Sequence, residues 1–561
     1  MKNLALIAAS LVLIFSSCSG AGSLILPNTY VEINLNETPS NNPFSLKKQP
    51  MEIFQVIDRA AKDNNVRGLI LNISAYNAGR DHLWELRSAL EEFKTSGKKI
   101  CAYIGNANID IYLLASVADR IVMNELGAIS IEGYAMGRGF MKQTFEKLGI
   151  GVKELRYFEY KTAAESFTRD SLSDADRRQY NEYLDDIYNL SRDTLMQARG
   201  WTVQEFDNIL NNEFLYSAYA AKDRGLVDYI GGFSEVKSAL YEFDELSFPS
   251  KYFYALFGKT ETSLTGAILP YNPLKASGSS PIIAVVYAEG ETDMAGGMNA
   301  VKTSRIIRDL GKNNRVKAIV LRVDSPGGAA DAAEYVNEAV CYAKLYKPVV
   351  VSMGNVAASG GYWVSMNASH IAANPFTLTG SIGVIGTWFY DNGLNSKVGL
   401  KIDTIKRGAH SDLNMGFLVP YRDLTPLEEE RYKKYITDLY KIFVDKAALG
   451  RDMEIADIEK AAQGRVFSGI RALEEGLVDS VGGLNDALKI ALELADISDS
   501  EKIRYKKYPE PTFMEKLMEN MPDSMSIFSR NTLEQNIKKE IEYRLKNNGK
   551  VLPILPLDFL E

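Results

Sequence analysis

The stretch Gly354-Asn355-Val356-Ala357-Ala358-Ser359-Gly360-Gly361-Tyr362-Trp363 sets one serine where an apolar run ends and a glycine pair begins. The run ahead of it, Lys347 to Met353, is short, β-branched and apolar on both alternating positions, which predicts a buried parallel strand. A helix is expected from Gly360. A hydroxyl on a strand-to-helix turn is held rigidly, faces the crevice at the strand's carboxyl end, and lies beside helix amides that favour a developing oxyanion. That is nucleophile chemistry for Ser359. The plainer reading, a serine capping a helix over a Gly-Gly turn, uses the same residues. A second strand pattern, Val316 to Val323, runs into Asp324-Ser325-Pro326-Gly327-Gly328, where glycines let backbone N–H groups come close to a bound carbonyl.

Two further stretches, Tyr160-Lys161-Thr162-Ala163-Ala164-Glu165-Ser166-Phe167 and Thr377-Leu378-Thr379-Gly380-Ser381-Ile382-Gly383-Val384, complete a set of four motifs. In this order and spacing they resemble the long form of the signal peptide peptidase A family, also called protease IV, over residues 50 to 495. The resemblance implies a serine/lysine peptidase on a Clp-protease-like, crotonase-like α/β scaffold. It further implies a ring-shaped homotetramer on the outer face of a bacterial cytoplasmic membrane, acting on peptides such as cleaved signal peptides, with no cofactor. By that likeness Ser359 is the nucleophile, Lys161 the general base and Ser381 the serine that orients the lysine. Gly327, Gly328 and Gly360 become the oxyanion donors. Such a pair works by serine attack, an acyl-enzyme and hydrolysis, and needs the amine neutral; burial favours that form, against an ordinary lysine pKa of about 10.4.

The elements that must position these residues come as an α/β alternation: helix over 51 to 63, strand from Val66 to Ile73, helix from Leu83 to Lys94, strand from Lys99 to Ile104. The pattern then recurs. Val66-Arg67-Gly68-Leu69-Ile70-Leu71 echoes Val316-Lys317-Ala318-Ile319-Val320-Leu321, and Gly225-Leu226-Val227-Asp228 echoes Gly476-Leu477-Val478-Asp479, at separations of 250 and 251 residues. A period this long means two copies of a globular unit rather than a solenoid. Each copy carries a long helix at the matching place. One opens at the capping box Thr425-Pro426-Leu427-Glu428 with Tyr432, Tyr435, Ile436, Leu439 and Phe443 at helical spacing, the other at Ser173. These stripes are expected to be core or subunit interface.

Laid on each other, the copies have lost complementary parts. The Ser-Pro-Gly-Gly turn falls on Ala75-Tyr76-Asn77-Ala78, Ser359 falls on Ile109 or Asp110, and Lys161 falls within Ala409-His410-Ser411-Asp412. The expectation is one composite site, with the nucleophile from the second copy and the base from the first. Only three histidines exist, His82, His370 and His410, none in a recognisable triad context. Were the second copy to hold its own base, His410 or Lys406 would be the candidates.

Across 561 residues the apolar fraction of 46% is ample for several cores, and the formal charge of −8 argues against a nucleic-acid partner. No HExxH, no GxxxxGK[ST] and no Cys/His cluster points to a metal or nucleotide. Leu4 to Phe15 matches a signal-peptide core followed by Ser16-Ser17-Cys18, which resembles a lipoprotein cleavage site with Cys18 lipidated; ordinary cleavage and an uncleaved anchor are the alternatives. Cys101 and Cys341 are expected as buried free thiols. The resulting layout is a signal segment over 1–18, a first repeat over 22–248, a linker over 249–280, a second repeat over 281–497 and a tail over 498–561, with a helix from Thr532 to Asn547 that serves as an oligomer contact or surface extension. Two other function classes share parts of this pattern: a crotonase-type acyl-CoA enzyme, which the export signal and Ser/Lys pair oppose, and an inactive scaffold.

Overall fold

A computed structural model describes residues 29–36, 50–244, 280–498, 503–509, 548 and 551–552. Cys18 and the signal segment, the linker as far as Ser279, and the expected helix from Thr532 to Asn547 lie outside the described residues.

Val66–Asn72 and Lys99–Ile104 are short, β-branched strands that pair in parallel at the centre of a five-stranded sheet, flanked by Thr29–Asn34, Arg120–Met123 and Tyr229–Ile230. In the second copy Val316–Ser325 and Val349–Ala358 pair in the same way, between Ile282–Glu289 on one side and Leu378–Gly380 and His370–Ala373 on the other. The near-continuous burial of these strands follows from coverage by crossover helices on both faces. One apolar core joins the sheets, with Val320, Val350 and Val356 of the second copy in the same cluster as Leu69, Leu86 and Ile104 of the first. A buried ion pair fixes that junction: Arg322 donates to Glu85 at 2.6 Å and Asp81 at 2.9 Å.

Two features carry the first copy into the second. Strand Ile150–Leu155 pairs antiparallel with Ile385–Asp391, forming a ribbon between the repeats. Helix Asp174–Arg199, opened by a Ser173 side-chain cap, lies across strand Val466–Ser468. There Asp186 accepts from Ser468 Oγ at 2.6 Å and pairs with Arg471, and Tyr183 donates to Phe376 O at 2.8 Å.

The structure alters two expectations. The described part of the tail is built into the body: Arg504–Tyr508 adds a parallel edge strand beside Ile282–Glu289, and Val551–Leu552 adds to the ribbon, with the Asn548 side chain bonding both backbone groups of Phe389. Cys101 is buried as expected, but Cys341 is exposed. On helix Ala330–Lys344 the inward face is set by Val336, Ala339, Val340 and Ala343, and the 3.6-residue period turns position 341 outward.

Candidate active site

Ser359 stands between strand Val349–Ala358 and helix Gly360–Ser365 with φ 59° and ψ −112°, a strained conformation for a residue with a Cβ. It occupies the helix N-cap position, yet its side chain makes no capping bond. The hydroxyl instead lies 2.6 Å from Nζ of Lys161. The same Nζ lies 2.9 Å from both Oγ and the carbonyl oxygen of Ser381. All three residues are buried, Lys161 at 1% exposure. The sequence-predicted trio is thus gathered from two copies, its members 198 and 220 residues apart along the chain.

Two turns with positive φ force this approach. Gly380 at φ 77° and Ser381 at φ 51° bend the chain after strand Leu378–Gly380, and Ser359 N–H donates to Gly380 O at 2.9 Å. Gln463 at φ 58° and Gly464 at φ 87° form the second turn, which lies on the lysine itself. A Cβ on Gly464 would come within 2.6 Å of the Lys161 backbone and Cβ. Tyr160 N–H donates to Gln463 O at 3.0 Å, Gly464 N–H to Ile382 O at 2.8 Å and Ser381 N–H to Arg465 O at 2.6 Å, so this turn is stitched to the segments that carry Lys161 and Ser381.

The glycines of the Ser-Pro-Gly-Gly turn sit against the start of the Ser359 helix. A Cβ on Gly360 would fall 3.1 Å from Gly327 Cα and 2.6 Å from Thr292 Oγ1, and one on Gly361 would fall 2.5 Å from Ser325 O. Gly327 and Gly328, at φ 101° and 150°, shape the turn, and Thr292 holds it by donating its N–H to Gly327 O at 2.8 Å. Gly327 N–H has a long contact with Ser325 Oγ at 3.3 Å. Upstream, the ladder between the two strands skips from Val323/Met353 to Ser325/Ala357, and Asp324 fills the bulge by accepting from Val356 N–H at 3.1 Å. Burial, reinforced by Asp81, pushes the Asp324 carboxyl up to about 7 against the pull of Arg322; Glu289, its neighbour across the sheet, is pushed up to about 7 by burial and by Asp324.

The alternative bases lie elsewhere. His410 meets Glu428 at 2.7 Å, Lys406 meets Asp412 at 2.9 Å, His370 meets Ser480 at 2.9 Å, and His82 is buried near Glu85. Among the described residues no group of carboxylates, cysteines and histidines is arranged to hold a metal.

A profile of Peptidase family S49 matches the chain twice, at residues 92–247 and 343–498. The chain belongs to peptidase family S49. It is a serine peptidase built from a duplicated S49 domain of mixed α/β type with parallel sheets. Protease 4 of Salmonella typhi is 31% identical over 488 residues, covering 84% of this chain and 76% of that protein. The chloroplastic serine protease SPPA of Arabidopsis thaliana is 31% identical over 475 residues, covering 83% and 68%. Protease 4 of Haemophilus influenzae is 30% identical over 481 residues, covering 80% and 74%. Within this S49 frame, sequence reasoning missed Thr292, Gln463 and Gly464. None belongs to a motif; their parts depend on backbone conformation and on packing between repeats that no local pattern announces.

Proposed function

We propose that this S49 peptidase cleaves peptide bonds with Ser359 as nucleophile, Lys161 as general base and Ser381 as the group that orients the base. The contact of 2.6 Å between a buried amine and a hydroxyl released from capping carries this reading. Ser359 Oγ attacks the carbonyl carbon while its proton passes to neutral Lys161 Nζ. The tetrahedral oxyanion faces backbone amides of Gly327, Gly328 and Gly360. Collapse of that intermediate breaks the C–N bond, the amine leaves with the proton from Lys161, and a water activated by the same amine hydrolyses the acyl-enzyme. Because the base must be neutral, turnover rises with pH until the amine is deprotonated. The test is peptide and ester hydrolysis by Ser359→Ala: an inactive, folded variant is expected, and wild-type turnover would refute the assignment and mean that another nucleophile acts.

The substrates proposed are peptides at a bacterial envelope membrane, remnant signal peptides among them, with the catalytic body held on the extracytoplasmic side through lipidated Cys18. No helix of the described residues is long and apolar enough to cross a membrane; the acylated anchor is proposed from the resemblance of Ser16-Ser17-Cys18 to a lipoprotein cleavage site. An intact segment from Met1 to Ser17 on mature protein, read by mass spectrometry, would contradict this.

A ring of copies is also proposed, on internal symmetry. Within one chain Tyr183 packs on Phe376 and strand Val466–Ser468. The second copy's counterpart of Tyr183 is Tyr435, 54% exposed, and the first copy's counterparts of Phe376 and Val466 are Leu126 and Leu215, 93% and 57% exposed. Docking one chain's second repeat onto another's first repeat would reproduce the intrachain contact, the head-to-tail kind of interface from which closed rings are built. Leu126→Glu with Leu215→Glu should lower the mass measured by light scattering to that of the monomer; an unchanged mass would reject this surface.

A further inference from the structure

We propose that Gln179 is a positioning residue for Lys161, gripping the residues on both sides of the base and tying them to the second repeat; the proposal rests on Lys161 being that base. Gln179, in helix Asp174–Arg199, is 1% exposed. Its Nε2 lies 3.4 Å from the carbonyl oxygen of Tyr160, 3.3 Å from Oγ1 of Thr162 and 3.0 Å from Oδ1 of Asp176. Its Oε1 accepts from Val466 N–H at 3.2 Å. One amide therefore touches the residue before the lysine, the residue after it, and the strand that follows the Gln463-Gly464 turn.

A buried ion pair fixes the far side of the same segment. Thr162 Oγ1 donates to Asp176 at 2.6 Å, Arg138 Nη1 donates to Thr162 O at 3.1 Å, and the Arg138 and Asp176 side chains, both fully buried, pair at 2.8 Å. The circuit closes at the chemistry: Val466 is two residues past Gly464, which lies on Lys161 and donates to Ile382 O beside Ser381. Lysine has four rotatable bonds and a point-like ammonium or amine, so its backbone must be fixed before Nζ can be placed to within a few tenths of an ångström.

The other copy lacks this arrangement where it lacks the lysine. The two long helices have the same length, and counting from their caps, Ser173 and Thr425, puts exposed Arg431 opposite Gln179. Glu428, opposite Asp176, bonds Arg422 and His410 instead of an inward-pointing segment.

The experiment compares full-length wild type with Gln179→Met, which fills the volume without hydrogen bonds, and with Gln179→Ala, with all rates normalised to titrated active sites so that unfolded protein does not count. The expectation is a kcat lowered about 10- to 100-fold with KM within about twofold, and a parallel fall in the rate at which a fluorophosphonate labels Ser359. A role limited to packing would lower the number of titratable sites and leave the rate per site unchanged. Rates per site within about twofold of wild type, or a raised KM with kcat retained, would overturn the proposal. Lys161→Ala and Ser359→Ala run beside them. If Lys161→Ala keeps wild-type turnover, the dyad reading fails; if it is inactive and the Gln179 variants are not impaired, the positioning role alone fails.

Discussion

Tyr112 in the first copy and Tyr362 in the second each donate to a leucine carbonyl after a glycine turn, Leu226 at 2.7 Å and Leu477 at 2.9 Å. Three residues before each tyrosine the copies part, with Ile109 in one and Ser359 in the other. They part again after the second strand that follows, where Ile131 N–H donates to Phe214 O at 2.7 Å and Ser381 N–H donates to Arg465 O at 2.6 Å, the same bond beneath an isoleucine and a serine. Both isoleucines are buried. Counted from the helix caps, the counterpart of Lys161 is Leu413, one residue past the interval expected from sequence. So the first copy sets two buried isoleucines where the second sets two hydroxyls around an amine, and the polar groups beside Ile109 are a different set: Arg80 pairs with Asp110 at 3.1 Å and Tyr134 donates to the same carboxylate at 2.9 Å. Buried polar groups are costly unless each finds a partner, and a lysine shared across the repeats can partner only one pair of serines. The duplication therefore keeps the scaffold twice and the arrangement of two serines around a lysine once.

The comparison breaks first at the dyad. Ser359→Ala and Lys161→Arg should each lower turnover at least about a thousandfold, arginine failing because it stays protonated and cannot serve as a base. An arginine variant that retained most of its activity in steady-state assays would mean the amine is not the base.

A smaller, one-sided effect is expected beside the lysine. Gly464→Ala must move the Lys161 backbone, which its Cβ would approach to 2.6 Å, and should cost about a hundredfold in kcat. The matching change in the first copy, Glu213→Ala, removes a half-exposed ion pair with Arg224 and should leave kcat within about twofold. Equal losses from the two substitutions would contradict the asymmetry.

Restoring hydroxyls to the first copy sharpens the point. Ile109→Ser with Ile131→Ser should destabilise the protein by about 2–5 kcal/mol per site in denaturant unfolding, through lost burial and a buried polar group, and should create no second reactive serine. Fluorophosphonate labelling at position 109 would show that the scaffold alone activates a serine.

The smallest expected effect is on pH-dependent stability. Asp324 titrates near 7 in the fold against 3.8 in the unfolded chain, so the folded state holds more protons between those values and stability falls as pH rises across that window. Glu289 acts in the same direction. Asp324→Asn should therefore flatten the decline in melting temperature between about pH 4 and about pH 7; an unchanged decline would remove Asp324 from the account.

The duplication and the strand-turn-helix around Ser359 were legible because each is written locally, in a β-branched run, a glycine pair and a repeated Gly-Leu-Val-Asp. The proximity of Lys161 to Ser359 was legible only through family resemblance and the complementary losses of the two copies. Gln463, Gly464 and Gln179 were not legible. A glutamine that donates toward the segment around the lysine and accepts from Val466 N–H reads in sequence as one more polar helix residue, and a left-handed glycine beside a lysine 303 positions earlier has no local signature. Cys341 was misjudged for a related reason: apolar neighbours in sequence occupy the opposite face of its helix. The tail strands were missed because edge pairing at Arg504–Tyr508 is made by a polar, basic segment whose register is set by the strand it joins.

The most direct measurement maps the site of fluorophosphonate modification on the full-length protein by peptide mass spectrometry, in wild type and in Lys161→Ala. The account predicts a single adduct on Ser359 in wild type and a labelling rate at Ser359 lowered at least about a hundredfold when Lys161 is absent, because one hydroxyl from the second repeat is activated by one amine from the first. An adduct on another residue, or wild-type labelling of Ser359 without Lys161, would contradict it.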